Sequence, residues 1–116
     1  EDGIITPRIN GIPVQNLSYV ANLTQTGTAA PTAIELSNNI GLVTWTRTLK
    51  GNYLGTPTSP FDPLYTFVMI NNVEHDHLTN AYINTDGDIV VQTTNTQNHQ
   101  HDDGILNNTT LEIRTY

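Results

Sequence analysis

Cysteine is absent from the chain and lysine occurs once, at Lys50. The first absence rules out a disulfide framework and any thiolate metal site. Charge is scarce too: 13% of the 116 residues are charged, and four Lys and Arg stand against eleven Asp and Glu, a formal net charge of −7. Nucleic-acid affinity rests on cations that contact phosphates, so no nucleic acid is expected as a partner, and an anionic membrane surface is no better matched. No apolar run approaches the ~18 residues of a transmembrane helix. The opening EDGIITPRING lacks the basic and apolar regions of a signal peptide. It starts on Glu1 rather than Met, as a processed chain or a piece of a longer one would. Serine is limited to Ser18, Ser37 and Ser59, none of them in G-x-S-x-G. With no thiol and a lone lysine in a glycine-containing turn, no activated nucleophile is in view. The chain is not expected to be an enzyme.

What is abundant is Thr and Asn. Thr packs well on a pleated surface because its β-carbon is branched, whereas Asn favours turns, where it bonds to its own backbone. A chain rich in both predicts short strands joined by tight turns. At this length one domain is the limit, and it can bury roughly two-thirds of its unfolded surface. Residues 1–17, with two prolines and two glycines, read as an extended N-terminal linker or arm, and 18–116 as a single domain. Strands are predicted at Tyr19–Thr24, Thr32–Leu36, Leu42–Thr48, Asn52–Gly55, Leu64–Asn71, Asn80–Thr85, Asp88–Thr94 and Thr110–Tyr116. About eight short strands at this spacing predict an all-β fold, an antiparallel β-sandwich of jelly-roll-like type.

Period-two alternation gives these strands sides. In Leu42–Thr48, Val43, Trp45 and Arg47 share a face, which makes Trp45, the only tryptophan, the expected core plug. Arg47 is expected to pair with Glu35 or Glu112. The segment Leu64–Ile70 is apolar on both sides, as in a central strand covered on both faces, with a sister copy of the chain supplying the outer cover. Asp86-Gly87 predicts a two-residue type I′ hairpin that pairs Ile83 with Val90 and Tyr82 with Val91, and Lys50-Gly51 reads similarly. Gly55–Pro63 holds three prolines and is a loop.

Two H-x-H pairs stand out, His75 with His77 and His99 with His101. Residues two apart in a strand point to one side about 7 Å apart, so each pair could grip a divalent metal through nitrogen. His75, His77, His99 and His101 are therefore the candidate metal ligands, and no other cofactor is implied. The opposing reading is that NTQNHQHDDG is a solvated loop. Asp86-Gly87-Asp88 and Asp102-Asp103-Gly104 lack the further acids of a calcium loop and read as turns. The five tyrosines Tyr19, Tyr53, Tyr65, Tyr82 and Tyr116 are candidates for stacking on sugars, against the commoner role of core-edge residues.

Between Tyr19 and Tyr53 the residues form the order Y-x-A-x-L-T-Q-x-G-T, then Pro31, L-x-N-x-x-G, W-x-R and G-x-Y, and the chain closes with LNNTTLEIRTY. This resembles a small β-domain of structural proteins from bacteriophages and prophages. The resemblance spans about two-thirds of the chain and leaves Gly55–His101 outside it. It implies a virion protein of the fibre, spike or head-decoration type, a homotrimer held among other virion proteins. Such a protein would be assembled in the host cytoplasm, exposed outside the cell, and would contribute to host attachment. The H-x-H pairs are similar to iron-binding repeats in the tips of some phage long tail fibres, although neither follows a Gly as those commonly do. The alternatives are a glycan-binding receptor tip, in which loops Gly55–Pro63 and Asn95–Asn108 read a host surface glycan, and a bacterial surface adhesin.

Overall fold

Side chains along most of the long strands alternate between buried and open in the computed structural model, which describes residues 8–9, 12–13, 17–71 and 77–116. These residues form strands and no helix: β1 (Arg8–Ile9), β2 (Ile12–Pro13), β3 (Leu17–Thr24), β4 (Thr32–Asn38), β5 (Val43–Leu49), β6 (Asn52–Pro57), β7 (Thr66–Ile70), β8 (His77–Ile83), β9 (Ile89–Asn95), β10 (Gln100–His101) and β11 (Thr109–Thr115). Each of the eight expected strands is present, displaced by a few residues at its ends. The expected N-terminal arm carries the small antiparallel β1–β2 ladder.

Two antiparallel sheets pack as a sandwich. Sheet I has the order β4-β3-β11-β7. Sheet II runs β5-β6-β9-β8, and β10 pairs with β9 beyond the end of β6. Between them lie Tyr19, Ala21, Leu23, Leu111 and Ile113 from sheet I, and Tyr53, Ile89 and Val91 from sheet II. Burying each large aliphatic side chain contributes about 1.5–3 kcal/mol, so these strand interiors are the main source of stability. The intervening residues Val20, Asn22, Glu112 and Arg114 fall on the outer face of sheet I, as the β3–β11 register requires.

The segment expected to be central and doubly covered is an edge strand. Among the described residues β7 pairs only with β11, and its outward residues Phe67 and Met69 are 50% and 51% exposed, while Val68 and Ile70 pack on the core. Leu64 and Tyr65 precede the strand and are 85% and 60% exposed. An apolar run identifies a strand but does not say how many neighbours it has.

The Asp86-Gly87 turn differs by one residue from the expected form. Ile83 pairs with Ile89 and Tyr82 with Val90. The Asn84 N–H donates to the Asp88 carbonyl and the Gly87 N–H to the Asn84 carbonyl, each at 3.0 Å. Only Gly87 within Thr85–Gly87 takes positive φ, at 84°. This is the three-residue loop in which a type I turn is followed by a left-handed Gly. The Asn84 side chain selects it by accepting from the N–H groups of Asp86 and Asp88, at 3.0 and 2.9 Å. At Lys50-Gly51 the loop does have two residues, but only Gly51 has positive φ, and the register slips between Arg47 and Leu49.

Candidate functional site

The inner face of sheet II ends in a polar assembly. Arg47 on β5 and Tyr53 on β6 are cross-strand partners, both pointing inward at the end of the sandwich where the β5–β6 turn, the loop after Thr24 and the loop before β11 meet. Arg47 does not reach Glu35 or Glu112. It pairs with Asp103, donating from Nη2 at 2.7 Å and from Nε at 3.1 and 3.2 Å. The Gly51 N–H at 2.9 Å and the Tyr53 hydroxyl at 2.8 Å also reach Oδ1 of Asp103. Glu112 is taken instead by Arg114 on its own strand, at 2.5 Å.

Gln25 completes the assembly. Its side chain is 2% exposed, and its Oε1 accepts from the Gly104 N–H at 2.7 Å and stands 2.8 Å from the Tyr53 hydroxyl. Its Nε2 donates to the carbonyls of Gly27 and Ala29, at 2.9 and 3.0 Å. The single Tyr53 proton therefore lies between two acceptors, Asp103 and Gln25. Thr93 on β9 ties in the remaining backbone: its N–H donates to the Gly51 carbonyl at 2.9 Å and its hydroxyl to the Asp102 carbonyl at 2.6 Å.

The electrostatics follow from these contacts. Hydrogen bonds from Arg47 hold the Asp103 carboxyl down to a pKa of about 2, with the Gly51 N–H and Tyr53 hydroxyl assisting and burial opposing. Burial and the neighbouring Asp103 push the Tyr53 phenol well above its ordinary range. At neutral pH the group is one carboxylate, one guanidinium and a protonated phenol. The Asp103 carboxylate accepts from both of the others, so each member of the group is engaged by another. The assembly fastens three loops to the sheet.

Trp45 sits one step along the same face. It is partly buried rather than sealed, while Tyr19 and Tyr53 are 0% and 1% exposed and fill the place expected of it. The indole lies over its cross-strand partner Gly55, where a β-carbon would come within 2.9 Å of the ring. Its Nε1 donates to the Tyr19 hydroxyl at 3.2 Å. Of the positions that carry the family-like order, Tyr19, Gln25, Trp45, Arg47, Gly51 and Tyr53 meet on this inner face, whereas Gly41 stands beside Thr58. The missing member of the assembly was Asp103, read as part of a solvated turn.

Among the histidines, His75 lies outside the described residues. His77 is half-buried at the start of β8 and pairs with Asn95, while His101 flanks the other side of β9 opposite Thr94. His101 Nδ1 is engaged by the Thr94 hydroxyl and the Thr93 carbonyl, at 3.2 and 3.3 Å. His99 occupies a turn with φ 58°. Among the described residues no three His, Asp or Glu side chains gather as a metal would need.

The two loops proposed to read a glycan together occupy opposite ends of the sandwich. Phe61 packs at the Gly87 turn, its N–H donating to the Gly87 carbonyl at 3.0 Å. The 96–108 loop is fastened at the Gly51 end. Tyr65, Tyr82 and Tyr116 are exposed, at 60%, 43% and 68%, and the first and last border a depression of about 280 Å³ with Leu64, Thr66 and Phe67. No family model, no curated protein and no solved structure matches this chain.

Proposed function

We propose that this chain is a structural module of a virion, of the fibre, spike or head-decoration type, which works as a homotrimer. The observation that carries the reading is the apolar surface along β7. Leu64, Tyr65, Phe67, Met69 and Tyr116 are each half exposed or more, an amount of apolar side chain that a protein working alone rarely leaves open to water in one place. The fastened loop end supports the same reading, since a module stacked into a particle needs a rigid frame more than a mobile cleft. Gln25, Arg47, Gly51 and Tyr53, all within the family-like order, build that frame.

Light scattering coupled to size exclusion at micromolar concentration tests the proposal. The expected mass is three times the 12.8 kDa protomer; a stable monomer would overturn it. Host attachment through a glycan is a second reading, favoured by the rings of Tyr65, Phe67 and Tyr116 around one depression. A glycan array on which Tyr65→Ala and wild type behave alike would count against it.

A further inference from the structure

The outer face of sheet I carries two apolar patches, and they lie on its opposite edges. On β4, Ile34 and Leu36 are 63% and 59% exposed. Ile34 stands opposite outward-facing Asn22, and Leu36 occupies the extra position where the β3–β4 register shifts. On β7, Phe67 and Met69 stand opposite Arg114 and Glu112. Three strand spacings, roughly 14 Å, separate the two edges. The columns between them are mostly polar: Ser18, Val20 and Asn22 on β3, and Thr110, Glu112 and Arg114 on β11.

Charge singles out what can cover this face. The protein as a whole carries −7, so two copies repel in general. Among the described residues, the charged side chains on this face are Glu112 and Arg114, which neutralise each other at 2.5 Å, while exposed Glu35 on β4 stands opposite inward-facing Ala21. Among the described residues, a second copy therefore meets no unpaired like charge on this face, and a polyanion finds no free cation there. The edges also differ in form. β7 is flanked by two shallow depressions, of about 310 Å³ beside Met69, Ile70 and Thr110 and about 280 Å³ beside Tyr65, Phe67 and Tyr116. β4 presents two exposed aliphatic side chains, Ile34 and Leu36.

From this we infer that the β4 edge of one protomer seats against the β7 edge of the next, a head-to-tail contact between copies of this chain. It rests on the homotrimer reading and specifies its interface. A two-fold dimer needs one patch that complements itself, whereas a closed three-fold ring needs two different patches on each protomer. Exposed aliphatic side chains on one edge and an aromatic-lined depression on the other supply that pair.

Two charge-introducing variants decide it. Phe67→Glu with Met69→Glu spoils the β7 edge, and Ile34→Glu with Leu36→Glu spoils the β4 edge. All four side chains are exposed, so both variants are expected to keep the wild-type circular dichroism and tryptophan emission. Each alone should be monomeric where wild type is trimeric, with association at least tenfold weaker. Mixed at about 100 µM, they should form a capped one-to-one heterodimer, because one intact β4 edge then meets one intact β7 edge. If wild type is oligomeric but only one variant dissociates, or mixing yields no heterodimer, the head-to-tail contact is wrong and the homotrimer reading survives. If wild type is itself monomeric, the homotrimer reading fails first.

Discussion

Arg47 and Tyr53 face each other across the β5–β6 ladder, and both deliver their polar ends to the carboxylate of Asp103, fifty residues beyond the second of them. A cation and a phenol on the inner face of a sandwich would be costly alone, because buried polar groups need partners. Here a loop brings the partner in.

Tyr53→Phe should test the hydroxyl separately from the ring. The ring fills the core and stays, while Asp103 and Gln25 lose a shared donor. The expected cost is about 1–2 kcal/mol, read as a lower urea midpoint with an unchanged slope. A neutral result would mean that water replaces the hydroxyl at no cost.

Acid should loosen the loop end first. Asp103 has a folded pKa of about 2 against an ordinary 3.8, so the folded state favours the ionised form. Its contribution is complete above the unfolded value and is lost as pH falls from about 4 towards 2. Melting temperature should drop across that window in wild type. Asp103→Asn should be less stable at pH 6 and show a flatter profile between pH 4 and 2. Parallel profiles for the two proteins would contradict the assignment.

Glycine is required at position 51 for two reasons. Its φ is 68°, and a β-carbon there would stand 2.5 Å from the Asp102 backbone nitrogen and 2.8 Å from the Thr93 carbonyl oxygen. Gly51→Ala should cost about 3 kcal/mol or more. Gly104 also has positive φ, at 80°, but nothing lies within 4 Å of an added β-carbon. Gly104→Ala should cost only about 1 kcal/mol. Chemical denaturation of the pair separates crowding from backbone strain, and equal losses would refute the contact.

Gly55→Ala should displace the indole that covers it, since the new methyl would meet three ring carbons at 2.9–3.0 Å. With a single tryptophan, the readout is direct: emission should shift to longer wavelength as Trp45 leaves Tyr19 and meets more water, with about 1–3 kcal/mol lost. An unshifted spectrum would place the indole elsewhere.

The strands were legible because alternation is a local property. Tyr19, Ala21 and Leu23, or Ile89 and Val91, announce one buried face without reference to any other part of the chain. The place of a strand within its sheet is not local, which is why the apolar run at Phe67 and Met69 read as doubly covered when it lies at an edge. Turn length depended on Asn84, whose side chain bonds across the loop and outweighs the Asp-Gly preference. The polar assembly was half legible. Tyr19, Gln25, Trp45, Arg47, Gly51 and Tyr53 could be picked out in order, but Asp103 sits in a polar run that has no periodicity to place it. The available signal was Arg47 itself: an arginine sharing a face with Val43 and Trp45 must meet an anion inside, and a loop acid able to fold over that end was the candidate.

β11 lies between β3 and β7, pairing seven residues with the first and five with the second. Until residues 109–115 have left the ribosome, β3 and β7 have no common neighbour, and Tyr19 and Ala21 lack Ile113 and Leu111, their partners across the ladder. Synthesis must therefore run past Thr115 before this sheet can close, and the earlier strands wait, unpaired, for β11.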